Sequence, residues 1–220
     1  MDYEPRSGVC PEKKRRDRLI QRAKAQPTWA LGFSDEVWWS RLAQPAQHAW
    51  TEAEAKHKLI ELPLPLADPD PKALACYGLL VRPWPAQADQ MWLRFVAGRP
   101  VSAVTIEFLA WCSTQLAARG FTALLLIWDN ASWHRSHTVR HWVRQHNQQV
   151  KQGALGVRLI VCSLPSKSPW LNPIEPKWVH GKRAVSEADR LLSADELEAR
   201  VYAYYGCERA AHLIMPKKVA

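Results

Sequence analysis

Three acidic residues stand where their side chains could do metal-dependent chemistry. Asp129 directly follows the apolar run 123–128, and Glu175 lies in the proline-rich segment 168–176. Between residues 131 and 183 there are nine Lys or Arg residues and one acid, which is Glu175. An acid in so basic a surround suits a site that holds a cation beside a bound polyanion.

The third acid is expected from an early strand, and Asp35 is the best candidate. Successive strand residues face opposite sides of a sheet, so only one of Asp35 and Glu36 can point at the site. The apolar residues Phe33 and Val37 share the face of Asp35, which fits a sheet face covered by helices. The alternative is that this charged pair marks a solvated sheet edge.

Three carboxylates that lie close together repel one another, and cations between them relieve the repulsion. Ligation by oxygen alone selects Mg²⁺ or Mn²⁺. Two such ions, about 3.5–4 Å apart, can activate a water or a 3′-hydroxyl and stabilise the leaving oxygen of an in-line displacement. The predicted chemistry is phosphodiester transfer, with Asp35, Asp129 and Glu175 as catalytic residues and ligands of both ions.

Each of the later acids also has a purely structural interpretation. Asp129 could be part of a polar turn after a strand. Glu175 could belong to a helix start, with Asn172 as N-cap and Pro173 as first residue, or could itself be the cap before Pro176. A carboxylate there gains about 0.3–1 kcal/mol from the helix dipole without any catalysis.

The positive charge of the chain is concentrated rather than spread. The formal net charge is +9, and residues 11–24 hold seven basic and two acidic residues. Clustered charge favours a polyanionic partner, because each neutralised phosphate releases counterions; solubility alone is the alternative. The candidate phosphate contacts are Arg135, Arg140, Arg144, Lys167, Lys177, Lys182 and Arg183, although any one of them could simply be solvated.

Several classes of protein are excluded by the composition. No apolar run approaches the roughly 20 residues that span a bilayer, and the start of the chain lacks the apolar region of a signal peptide. The five cysteines are scattered singly, which argues against a zinc knuckle and for reduced thiols in a cytoplasm. There is no P-loop or dinucleotide fingerprint.

Hydrophobic periodicity predicts the elements that must position these acids. Strands are predicted at 29–39, 73–82, 91–99, 123–128 and 157–164, and helices at 101–119, 136–152, from 173 or 176 onward, and at 195–205. Residues 11–24 are predicted as an exposed basic helix or arm. Three strands in succession followed by strand–helix alternation indicate an α/β fold with a mixed five-stranded sheet flanked by helices.

Two sequence blocks resemble motifs of a known family. Residues 128–134 (WDNASWH) and 163–178, which include SPWLNPIEP, are similar to the second and third acidic motifs of mariner-type DDE transposases, most of all to their bacterial insertion-sequence relatives. The shorter pair Asp35-Glu36 resembles the first motif. The likeness covers roughly residues 28–205 and implies a ribonuclease-H-like fold, cleavage at transposon ends and strand transfer to target DNA.

Two departures from the family pattern bear on function. Asp129 and Glu175 are 46 residues apart, a longer separation than is usual in the mariner branch. Only about 27 residues precede the first acidic strand, too few for the helix-turn-helix domains that family members carry there. We therefore expect a basic arm or remnant linker at 1–27, a catalytic domain at 28–206 and a tail at 207–220.

The expected partner is double-stranded DNA, both transposon ends and target, bound by a homodimer. A separate helix-turn-helix polypeptide could supply the missing recognition. The alternatives are a catalytically inactive DNA-binding or assembly remnant and a general ribonuclease-H-like nuclease.

Other side chains are expected beside the acids. Asn130, His134 and Asn172 are the predicted site neighbours. His134, His137 and His141 share a helical face, but no cysteine or carboxylate accompanies them at zinc-ligand spacing. Trp133 and Trp170 flank the acids, with core packing as the default expectation and base stacking as the alternative.

Overall fold

The computed structural model describes residues 11–41, 67–82, 88–165, 168–186 and 190–214. Within them the strands are β1 (Trp29–Ser40), β2 (Ala73–Arg82), β3 (Gln90–Ala97), β4 (Ala123–Trp128), β5 (Arg158–Ser163) and β6 (Leu213–Ile214). The helices are α1 (Pro11–Lys24), α2 (Ser102–Ala118), α3 (His137–Lys151), α4 (Glu175–Val185) and α5 (Ala194–Tyr205), with a 3-10 turn at Pro169–Leu171. No helix in these ranges is both long enough and apolar enough to cross a membrane.

A single mixed sheet carries the fold, with strand order β5-β4-β1-β2-β3-β6. β1, β2 and β3 pair antiparallel, whereas β4 runs parallel to β1 and β5 parallel to β4. The predicted mixed α/β sheet flanked by helices is confirmed. Its parallel half brings the carboxyl ends of β4 and β5 to one edge, where open α/β sheets hold their ligand sites.

The predicted number of five strands is wrong, because β6 adds a sixth beside β3. Its two residues are too few to give a period-2 pattern, and they lie in the segment predicted as a tail. Contacts from distant residues fix it: the Arg94 guanidinium donates to the Ala211 carbonyl, and the buried Glu198 carboxylate accepts from His212 Nε2 at 2.7 Å.

The sheet buries a different core on each face because strand side chains alternate. On one face, Phe33, Val37 and Ile127 pack with residues of α1, α4 and α5. On the other, Leu124 and Leu126 pack with α2 and α3. All six residues of β4 are buried, as its unbroken apolar run predicts for a strand covered on both sides.

Helix α1 was expected to be exposed, and that expectation is only half right. Five of its seven basic residues are exposed, but Arg16 and Lys24 are half-buried. Ala23 is buried, and Leu19 and Ile20 pack on the core. Arg16 Nη1 also donates to the Leu171 carbonyl at 3.3 Å. The segment 11–24 is therefore docked on the sheet beside the segment that leads to Glu175, while the predicted domain boundaries stay predictions.

Candidate active site

The register of the two central parallel strands brings the first two acids together. Phe33 of β1 lies opposite Ile127 of β4. Continued by two residues past the last observed pair, this register would place Asp35 opposite Asp129 at the carboxyl end of β4. Since Phe33 and Ile127 both face the core under α4, alternation directs Asp35 and Asp129 toward the same side.

The side chain of Asp35 is buried and makes one long-range hydrogen bond among the described residues. Its Oδ2 accepts a hydrogen bond from Trp178 Nε1 at 2.9 Å. The Trp178 ring can come that close because it lies on Gly78, the β2 residue paired with Asp35; a Cβ there would meet the ring at 2.3 Å. Burial first, and then repulsion from Glu175 and Glu36, raises the pKa of Asp35 to about 7.

Glu175 is the first residue of α4, with Ile174 as the N-cap and Pro176 following it. The predicted starts of this helix, at Pro173 and at Pro176, therefore differ from the observed start by two residues and by one. The chain enters α4 at Ile174, whose side chain is buried. Burial and the negative charge of Asp129 raise the pKa of Glu175, while Lys182 opposes them. Glu175 thus repels both Asp35 and Asp129, which is the electrostatic sign of an acidic cluster.

Asp129 is the end of a hydrogen-bonded chain that runs through His134 to Glu36. His134 Nδ1 lies 2.8 Å from Asp129 Oδ1, and Nε2 lies 2.8 Å from Glu36 Oε1. The His134 ring stacks on Trp128, with centroids 4.3 Å apart. Both ring nitrogens therefore donate to carboxylates, the arrangement of an imidazolium.

These contacts set the protonation of the chain. Burial lowers the pKa of His134, but the hydrogen bonds to Asp129 and Glu36 outweigh it and raise the pKa to about 9. Burial likewise works against ionised Asp129, yet hydrogen bonds from His134 and from the Ala131 amide keep its pKa below the usual value. Asp129 is therefore ionised at neutral pH, and 51% of its side chain is open to solvent.

Glu36 is the site residue that sequence reasoning missed. Its side chain is only 7% exposed, so the alternative of a solvated edge is wrong. Strand alternation correctly separates it from Asp35, but nothing in the local pattern indicates a partner 98 positions further along the chain.

The predicted site neighbours divide by role. Asn172 is buried and its Nδ2 donates to the Ser34 carbonyl at 3.2 Å, which ties the segment before α4 to β1 next to Asp35. Asn130 Nδ2 donates to the Leu164 carbonyl and joins the ends of β4 and β5. Trp170 is 73% exposed, so core packing is wrong for it, because it stands on the outer side of the 3-10 turn.

Most of the predicted phosphate contacts are exposed side chains at the start of α3 and on α4. Arg135 and Arg140 are exposed at the start of α3, and Lys177, Lys182 and Arg183 are exposed on α4. Lys167 lies outside the described residues. The histidine trio is split, since His134 bonds to the two carboxylates while the His137 and His141 rings stack 6.0 Å apart.

The chemistry of the acids fits a hard divalent cation, although the side chains do not form a closed cage. Across the described ranges, no three His, Cys, Asp or Glu side chains stand close enough together to hold a metal ion. Asp35 faces Trp178 instead of its acidic neighbours. The donors are nevertheless all carboxylate oxygens, and the raised pKa values of Asp35 and Glu175 report a repulsion that a cation would relieve.

The fold has relatives among proteins of known structure. Solved structures of the Mos1 mariner transposase share the fold: a paired-end complex with the left transposon end (TM-score 0.59, 13% identity, 95% of this chain covered), a paired-end complex with Mn (TM-score 0.57, 13% identity, 95% of this chain covered) and the catalytic domain (TM-score 0.50, 14% identity, 94% of this chain covered). The fold is thus similar to that of the Mos1 transposase catalytic domain.

A family model matches part of the sequence. Residues 95–198 match the family model described as DDE superfamily endonuclease, and this segment includes Asp129 and Glu175 but not Asp35. This segment is thus similar to the DDE endonucleases, in agreement with the predicted resemblance to mariner-type DDE transposases and with the fold shared with Mos1.

The coverage of the known chains differs with their length. This chain spans 59% of the length of the Mos1 chain in either paired-end complex and 87% of the isolated catalytic domain. A comparison with curated proteins finds no match.

Proposed function

We propose that this chain is the catalytic domain of a transposase that cuts and joins DNA strands with the help of two Mg²⁺ or Mn²⁺ ions. The observation that supports the proposal is electrostatic: the charge of Glu175 raises the pKa of Asp35, and the charge of Asp129 raises the pKa of Glu175. The register of β1 on β4, with Phe33 opposite Ile127, directs Asp35 and Asp129 to the same side of the sheet. Such a cluster at the carboxyl end of parallel strands suits phosphoryl chemistry.

Each acid has a proposed part. Ionised Asp129 would be a ligand of the cations, since its exposed side chain leaves Oδ2 free of hydrogen bonds within the described ranges. Asp35 and Glu175 would be the other ligands, with Glu175 on the side of the leaving group and the attacking water. When bound, the two ions would lower the pKa of the nucleophile and neutralise charge on the leaving oxygen.

The remaining residues of the site hold these ligands in place. His134 fixes one oxygen of Asp129 and so directs the other outward. Glu36 keeps the imidazole protonated and oriented from behind. Asn172 anchors the segment before α4, so that Glu175 enters the site at the start of the helix.

The proposed partners are inferred from the similarity to Mos1. Mos1 is described in complexes with transposon ends and with Mn or Mg. For this chain we propose binding to double-stranded transposon ends and target DNA as a homodimer in the bacterial cytoplasm, with a helix-turn-helix polypeptide supplying end recognition.

Nicking of supercoiled plasmid tests this proposal. Purified protein should nick in Mn²⁺ or Mg²⁺ and not in EDTA, and Asp129→Ala should lower the rate by at least about a hundredfold, because one lost charge contact to a transition state is worth that much. Glu208→Ala removes an exposed acid away from the site and should nick like the wild type. Retained nicking by Asp129→Ala would exclude the assignment.

A second candidate is a DNA-binding remnant without catalysis. The observation in its favour is that the acids as they stand form no three-ligand cluster. In that case the protein would shift DNA in a gel and leave it uncut at every Mn²⁺ concentration. A general ribonuclease-H-like nuclease would instead degrade RNA–DNA hybrids faster than transposon-end DNA.

A further inference from the structure

An open groove lies along the β5 edge of the sheet, next to the acidic cluster. Its cavity measures about 490 Å³ and is bounded by α1 on one side and α3 on the other. Four arginines reach it: Arg15 from α1, Arg135 from the turn before α3, and Arg140 and Arg144 from α3. These four residues define what we call the arginine groove. The two basic segments seen in the sequence therefore meet in one place.

Among the residues that the structure describes, the four guanidinium groups have no partner of opposite charge. In the described part of the chain, none of them makes a hydrogen bond or an ion pair. Other arginines of this protein are paired, as Arg41 is with Asp68 and Arg82 with Asp89. Like charges gathered without counter-charges repel one another, so an anionic ligand would stabilise the arrangement.

The floor of the groove is apolar where its rim is charged. Val139, Val143 and Val161 line it, together with Trp128. A pocket of this size with an apolar floor suits a flat ring system, and the rim suits phosphate. A nucleotide of an unpaired strand combines both, whereas a duplex keeps its bases stacked inside.

The groove also joins the acidic cluster directly. His134 lines the groove and is hydrogen-bonded to Asp129, and Ser163 at the end of β5 lines it as well. A strand lying in the groove would therefore run toward Asp129.

We propose that the arginine groove binds a single, unpaired DNA strand beside the acidic cluster, with its phosphates on the four arginines and one base on the valine floor. The inference rests on the proposed function for the identity of the polymer. Helix α1 then contributes to the binding surface through Arg15, a role separate from sequence recognition by any further domain.

Fluorescence anisotropy of a labelled single-stranded ten-nucleotide DNA tests the proposal in EDTA, where no cleavage takes place. Arg140→Gln/Arg144→Gln should bind at least about tenfold more weakly at low salt and should flatten the slope of log K against log salt by about 1.4, for two lost phosphate contacts. The control Arg99→Gln/Arg158→Gln removes the same charge from exposed positions outside the groove and should leave the slope nearly unchanged.

Arg15→Gln should flatten the same slope by about 0.7, since α1 supplies one contact. An oligonucleotide with abasic sites should bind more weakly than the intact strand, and Val143→Ser should reduce this difference. Circular dichroism should show all variants folded.

Three results would overturn the proposal: equal weakening in the groove and control variants, equal binding of intact and abasic strands, or equal competition by a duplex of the same length. None of them depends on nicking. A protein that binds as described yet never cuts would refute the proposed catalysis and leave the groove standing.

Discussion

At the scale of single residues, the site is a set of acids kept in different protonation states by their surroundings. Asp129 is ionised because His134 and a backbone amide donate to it. Asp35 has a pKa of about 7 because it is buried near two other acids. Asp129 is thus ionised before any cation binds, whereas a bound cation would favour the ionised form of Asp35.

Replacing Asp35 should increase the stability of the protein and abolish its activity. In metal-free protein at pH 8, Asp35→Asn should raise the free energy of unfolding by about 1 kcal/mol or more, since a neutral amide avoids repulsion from Glu175 and can still accept from Trp178. Plasmid nicking should be lost. Urea denaturation in EDTA measures the first effect.

Added Mn²⁺ gives the matching control for this substitution. It should stabilise the wild type, by about 2.7 kcal/mol at a hundred times Kd, and stabilise Asp35→Asn much less. An equal response of both proteins would remove Asp35 from the set of ligands.

At the scale of elements, α4 is the element on which the site depends most. Its first residue is Glu175, and its Trp178 crosses β2 to reach Asp35. The helix can lie this close only because β2 has no side chain at Gly78. A glycine inside a strand costs some stability, and here it makes room for a tryptophan.

Gly78→Ala should therefore displace α4. The added methyl group would lie 2.3 Å from Cη2 of Trp178, and overpacking of this kind costs about 1–3 kcal/mol. We expect this loss in the free energy of unfolding, together with slower nicking because Glu175 moves with the helix.

The pair can be tested by a double-mutant cycle. Trp178→Phe removes the outer ring atoms that meet the new methyl group, so Gly78→Ala should cost less in that background. Additive costs would show that the contact with Trp178 is not the cause.

At the scale of the whole molecule, the buried site makes stability depend on pH. Both Asp35 and His134 have raised pKa values in the folded protein. The folded state therefore holds more protons than the unfolded one, and stability falls as pH rises through each window. For Asp35 the contribution is complete below pH 3.8 and lost by about pH 7; for His134 it is complete below pH 6.5 and lost through pH 9.

His134→Gln measures the second of these pH windows, between pH 6.5 and about 9. In EDTA the variant should be less stable than the wild type at pH 6, by up to about 3 kcal/mol for this shift in pKa. The difference should shrink as pH rises to 9.5. A difference that is constant over this range would mean that the His134 imidazole is not the charged centre between Glu36 and Asp129.

Local sequence patterns predicted several individual elements of the fold. The apolar run 123–128 predicted a strand buried on both faces, and the apolar period of 195–205 predicted α5, which the structure begins with a capping box between Ser193 and Glu196. These features depend on neighbouring residues, because strand period, helix period and capping all involve residues only a few positions apart.

By itself, the sequence determined the mixed α/β architecture, the face of β1 that carries Asp35, the family motifs around Asp129 and Glu175, and the two basic segments. Only the tertiary structure decided that these segments meet in one groove, that Glu36 and His134 stand behind Asp129, that Trp178 covers Gly78 to reach Asp35, and that β6 joins the sheet. Most of these contacts link residues 98 to 143 positions apart. Local periodicity does not predict these contacts. It determines which face of a strand or helix a residue lies on, but not which distant residues pack against that face.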